Sequence, residues 1–111
     1  MSSSGYSAVL RQNDPNLAKS KTFYPGAGAT LTVSIHALGA GNTAYVEYTT
    51  SDMFEVMRGL ATETHVKWVK LTPPGDVTNS EVTLQIPFHP TAVRGVCSAG
   101  VATFQVSVLR G

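Results

Sequence analysis

Three stretches of the chain alternate between apolar and polar residues with a period of two. In "ATLTVSI" at 29–35, Leu31, Val33 and Ile35 fall on one side and Thr30, Thr32 and Ser34 on the other. "VTLQI" at 82–86 repeats the scheme with Val82, Leu84 and Ile86, and "ATFQVSV" at 102–108 with Phe104, Val106 and Val108. Successive side chains of a strand point to opposite faces, so the pattern predicts strands with one buried and one wet face. Their unequal spacing marks shared strand patterning and not a repeat. Further strand segments fall at 6–11, 21–24, 43–49, 65–71 and 91–97. Turn-forming clusters separate them: "NDPN" at 13–16, "PGAG" at 25–28, "GAGN" at 39–42, "PPGD" at 73–76 and "SAG" at 98–100. Many short strands between such turns predict an all-β, antiparallel sandwich or barrel.

One stretch departs from period two. "SDMFEVMRG" at 51–59 sets Met53, Val56, Met57 and Leu60 at helical spacing, with Ser51 placed to cap the start and Gly59 to end it. It predicts one short helix, too brief to stand alone and suited to plugging an open end or edge of the sheets. A bulged strand is the competing reading. The opening residues "MSSSG" read as a flexible arm over 1–5, with an outer limit at Asn16. The remainder, 6–111, is expected to form one domain, because 111 residues support one core and not two.

Composition narrows the partners. Charged residues make up 14% of the chain, against about 25% in a typical soluble domain. A surface poor in charge and rich in small residues suits contact with other protein. The net charge of +1 and the lack of a basic run give no footprint for nucleic acid. No apolar run approaches the ~18 residues of a membrane span, so no membrane partner is expected. The start has no apolar core behind a basic flank, so synthesis and assembly in a cytoplasm are expected. A single cysteine excludes an intrachain disulfide.

That cysteine raises the sharpest chemical question. "VRGVCSAGVATFQV" at 93–106 resembles the turn that presents a nucleophile, which needs glycine two residues to either side. Gly95 is in place, but the second position is Ala99, and the glycine arrives one residue late at Gly100. The next segment alternates as a strand where a helix is required. Cys97 therefore reads as a small buried residue, and 98–100 as a hairpin loop with Gly100 at positive φ.

His36, His65 and His89 lack ligand spacing, so no metal is expected. Of the carboxylates, Asp14 and Asp76 sit in turns and Asp52 at a helix start, and 111 residues leave little room for the cleft that a catalytic carboxylate pair needs. The Gly-rich pieces at 24–31 and 37–43 lead into strands and not into the helix a phosphate loop requires, so no cofactor is expected. No catalytic residue emerges, and the chain reads as a non-enzyme.

The aromatic residues carry more interest. On the strand at 43–49, Val46 and Tyr48 suit the core, which leaves Tyr45 outward. Trp68 lies on a strand whose two faces are both mixed. It reads as core with the Lys67 and Lys70 stems beside it, as an interface residue, or as a platform for sugar stacking.

Three segments together resemble a phage virion protein: "GNTAYVEYTTSDMFEV", "HVKWVKL" with "PPGDVT", and "PTAVRGVCSAGVATFQVSVLR". They cover roughly the C-terminal two-thirds. Length and pattern are most similar to the small capsid decoration proteins, also called cement or staple proteins, of short-tailed double-stranded DNA phages of the epsilon15 type. The resemblance implies a jelly-roll β-sandwich on the outer capsid surface of the virion. It implies a homodimer bridging neighbouring copies of the major capsid protein and reinforcing the shell against internal DNA pressure. It carries no catalytic residue. The contact residues expected for such a role are Tyr6 and Arg11 in the arm region, Met53, Phe54 and Met57 on the short helix, and Tyr45 and Trp68. Two other classes stay open. One is a carbohydrate-binding sandwich module of a phage fibre. The other is a head–tail or tail structural protein that forms a ring.

Overall fold

The computed structural model describes residues 2–11, 19, 20, 22–25, 30–50 and 66–110, with 2–11, 109 and 110 as backbone only. Among these residues all regular structure is β, in eight strands: β1 (Ser2–Arg11), β2 (Thr30–His36), β3 (Thr43–Thr49), β4 (Val69–Lys70), β5 (Val77–Thr78), β6 (Glu81–Gln85), β7 (Ala92–Ala99) and β8 (Val101–Arg110). They form two antiparallel sheets. The first has the order β1-β8-β2-β6. In the second, β3 is central. Tyr48 pairs with both Val69 and Val93, and Ala44 with both Val77 and Cys97. β7 therefore runs along one side of β3, while β4 and β5 share the other side end to end.

Residues 19–25 extend the second sheet on the far side of β7. Phe23 and Val93 exchange both backbone hydrogen bonds, at 2.8 and 3.0 Å, and the Ser20 N–H donates to the Gly95 carbonyl at 2.9 Å. Taking 19, 20 and 22–25 as one segment and β4 with β5 as another, the described residues form eight successive segments. The first pairs with the eighth, the second with the seventh, the third with the sixth and the fourth with the fifth. Two further ladders, β2 with β8 and β3 with β7, zip these pairs into the two sheets.

The alternation explains the core. Leu31, Val33 and Ile35 of β2 and Phe104, Val106 and Val108 of β8 are buried, and they share one cluster with Ala44 and Val46 of β3 and Val93 and Cys97 of β7. Both sheets thus supply one core. Phe104 locks them together at Gly95. A Cβ built on Gly95 would lie 2.5 Å from Cγ of Phe104 and 2.6 Å from Cδ1 and Cδ2. The ring of the first sheet occupies the space that any larger residue of the second would need.

Several expectations change. The strands expected at 29–35, 43–49, 82–86, 91–97 and 102–108 are present to within a few residues. The arm expected over 1–5 is instead drawn into the sheet, because Ser2–Arg11 is laddered with β8 from Ser2↔Arg110 to Arg11↔Val101. The strand expected at 65–71 shrinks to Val69–Lys70, and β5 takes up the same edge after the Thr72–Gly75 turn. The loop at 98–100 joins no hairpin: β7 belongs to the second sheet and β8 to the first. Here β7 bulges, so that Thr43 opposes Ala99 and Ala44 opposes Cys97, and Gly100 follows at φ +70°. A bulge with a left-handed glycine is a device for carrying a chain around a corner between sheets. The helix expected at 51–59 lies outside the described residues.

Candidate functional site

The outer surface of the first sheet is almost uniformly small and polar. Thr32 and Ser34 of β2 lie beside Thr83 and Gln85 of β6 on one side and Gln105 and Ser107 of β8 on the other. The hydroxyls of Ser34 and Thr83 are 3.0 Å apart. Among the described side chains of this face, charge enters at one end, where Nδ1 of His36 lies 2.6 Å from Oε2 of Glu81. Both are well exposed, and a solvated pair of this kind contributes about 0–1 kcal/mol. His36 thus ends its strand on the polar face, as its position in the alternation implies.

The outer surface of the second sheet is built differently. Tyr45 and Glu47 of β3 stand in register with Val96 and Arg94 of β7, and Glu47 is also in register with Lys70 of β4. Nε of Arg94 donates to Oε1 of Glu47 at 2.6 Å, with only 12% and 13% of the two side chains exposed. The Arg94 guanidinium lies over the Trp68 ring, 4.0 Å from its centroid. Nζ of Lys70 lies over the Tyr45 ring at 4.4 Å and donates to Oδ1 of Asp76 at 3.0 Å. Tyr45, Trp68, Lys70 and Arg94 therefore form one cation–aromatic surface, with Glu47 holding the central arginine.

Trp68 sits outside the hydrophobic core cluster, half-buried. The reading of it as a core residue is therefore replaced by a place in this outer layer. Its indole Nε1 is buried and has no hydrogen-bond acceptor, at a cost of roughly 1–3 kcal/mol. Arg94 takes up one face of the ring, leaving a stacking ligand at most the other. Tyr45 is on the outer side as expected, whereas Tyr48 turns inward and packs on Phe88 at 4.7 Å. Sequence reasoning missed Arg94 and Glu47, because neither shows its partner until β3 and β7 are paired.

The remaining expected residues are scattered. Tyr6 and Arg11 are at β1 positions opposite Val106 and Val101, on the first sheet and apart from the aromatic surface. Met53, Phe54 and Met57 lie outside the described residues, as does His65. Cys97 is buried, its thiol 3.4 Å from the Ala99 carbonyl and 3.3 Å from that of Gly100, so it packs inside the corner between sheets. Among the described residues no three His, Cys, Asp or Glu side chains converge. No protein-family model and no curated protein matches the chain.

Proposed function

We propose that this chain is a non-enzymatic capsid decoration protein with a jelly-roll β-sandwich fold, bound as a homodimer to the outside of a phage shell. The observation that carries the reading is the strand pairing. One with eight, two with seven, three with six and four with five is the pattern of a long antiparallel ribbon rolled up into two sheets. A ribbon of this kind is what a jelly roll requires, and it supports that reading of the fold. The low charge of the chain and the resemblance of its C-terminal two-thirds to epsilon15-type decoration proteins support the same reading.

The mechanism is mass action. A protein that binds across assembled neighbours, and less well to loose subunits, stabilises the assembly by the difference in binding free energy. A dimer adds to this, since its second arm binds at high effective concentration once the first is engaged. The major capsid protein is the partner, and the cation–aromatic surface around Trp68 is the proposed contact. Its aromatic rings and the Arg94 guanidinium are the residue types that anchor protein interfaces.

The test is cosedimentation with assembled heads that lack the chain, beside unassembled capsid subunits. Saturable binding to heads at a fixed copy number, with weak binding to subunits, supports the reading. Equal binding to both, or none to heads, overturns it. Trp68→Ala is expected to weaken head binding while leaving the fold intact.

A further inference from the structure

The four sheet edges among the described residues differ in how they are finished. β6 is five residues long, begins at Glu81 and is followed by Pro87. The β4–β5 edge is broken into two-residue pieces around Pro73 and Pro74 and carries Lys70 and Asp76. The edge formed by residues 19–25 makes two isolated bridges and carries Lys19 and Pro25. Short length, charge and proline are the devices by which native sheets refuse an added strand. β1 has none of them along its length. It is ten residues long, regular against β8 throughout, free of proline, and uncharged until its last residue, Arg11. Among the described residues it pairs with β8 alone. It therefore turns a run of about ten backbone N–H and C=O groups outward along roughly 33 Å.

The geometry points to β1 as the dimer interface, pairing antiparallel with β1 of a second copy to make one continuous sheet, β6-β2-β8-β1 followed by its symmetry mate. This deepens the dimeric reading above and rests on it. The occupant is a second copy because β1 is compatible with itself about a two-fold axis. Antiparallel pairing centred near Gly5 and Tyr6 sends the two Arg11 residues to opposite ends, roughly 37 Å apart, so no like charges meet. An isologous pairing also closes: each copy uses its open edge once, and no further strand can add. The product is a single sheet with the Ser/Thr/Gln surface of the first sheet continued across both copies.

The experiment uses the full chain. Mass in solution is measured by light scattering for the native chain and for Ser3→Lys/Ser7→Lys, which sets four lysines close together at the axis. The native chain is expected to be a dimer. The variant is expected to have a dissociation constant raised about tenfold or more, partly restored by salt, with an unchanged circular dichroism spectrum. Single cysteines introduced one at a time at Ser4, Gly5, Tyr6, Ser7, Thr83 and Gln85 supply a second readout, since Cys97 is buried and only residues close to the axis come within disulfide reach of their own copies. Rapid disulfide-linked dimer at one or two β1 positions, and none at the β6 positions, supports the pairing. A native chain that is monomeric, or a dimer that links only through β6 or withstands the lysines, overturns it. Head binding separates the two ideas. A chain that decorates heads without β1 pairing keeps the functional reading and loses this one, and a β1-paired dimer that ignores heads does the reverse.

Discussion

The two sheets bury their inner faces in the same core but treat their outer faces in opposite ways. On the first, polar and apolar residues alternate along β2, β6 and residues 102–108 of β8, and the outer residues there are mostly short hydroxyl and amide side chains in water. On the second, the alternation fails because part of the outer face is buried as well. Thr49, Ala92 and Val96 face outward in register yet are 1%, 0% and 7% exposed, while Val93, Gly95 and Cys97 are buried on the other side. Arg94 and Glu47 are held as a pair within that outer layer. The first sheet is thus wet on its outer side, whereas the second is buried at Thr49, Ala92 and Val96 on its outer side and opens to solvent around Val69 and Lys70. Substitutions on the two outer faces should therefore differ in cost by more than their chemistry alone suggests.

The contact between the sheets should be the most sensitive point. Phe104→Ala is expected to cost about 3–5 kcal/mol by emptying the core, and Gly95→Ala about 1–3 kcal/mol by driving a methyl into the ring. The pair Gly95→Ala/Phe104→Leu should cost less than the sum of its single changes by at least ~0.5 kcal/mol, read by urea unfolding. Strict additivity would mean that the two residues do not touch. Next comes the outer layer of the second sheet. Glu47→Ala removes the charged acceptor of Arg94 Nε in a layer where both side chains are nearly buried and should cost about 1.5–3 kcal/mol. Replacing both partners, as Glu47→Leu/Arg94→Met, should recover most of it. A harmless Glu47→Ala would make this face as wet as the first.

Smaller effects are expected at the corner that joins the sheets. Asn42 accepts from the Val101 N–H at 3.0 Å and donates to the Leu38 carbonyl at 2.7 Å. Asn42→Ala should cost about 1–2 kcal/mol. Gly100→Ala should cost at least as much, because its φ of +70° is strained for a side chain and the added Cβ would collide with the Asn42 amide. The least effect belongs to the outer face of the first sheet, where Ser34→Ala and His36→Gln should each stay within about 0.5 kcal/mol. A large loss there would erase the contrast between the faces.

The same contrast explains what could be read from the chain. β2, β6 and β8 announce themselves through alternation, since one face of each meets water. β4 and β5 are two residues each, too short for any periodicity, and their edge is recognised only by its pairing with β3. Trp68 was ambiguous because its strand has mixed faces, and the layer that receives it is assembled from β3 and β7. The 98–100 turn reads as a hairpin from its glycine, because local turn chemistry is the same whether the next strand returns to its neighbour or crosses to another sheet. Only the pairing of β8 with β1 and β2 decides that. Cys97 was legible: the misplaced glycine and the strand after it already spoke for packing, and the buried thiol in the corner agrees.

The most direct test of the proposed role is the temperature at which phage heads release their DNA, followed with an intercalating dye. Heads lacking the chain are compared with the same heads saturated by added protein. A decoration protein that bridges capsomers raises the release temperature as its sites fill and stops at saturation. An unchanged release temperature on heads that carry a full complement of the protein would contradict a stabilising role.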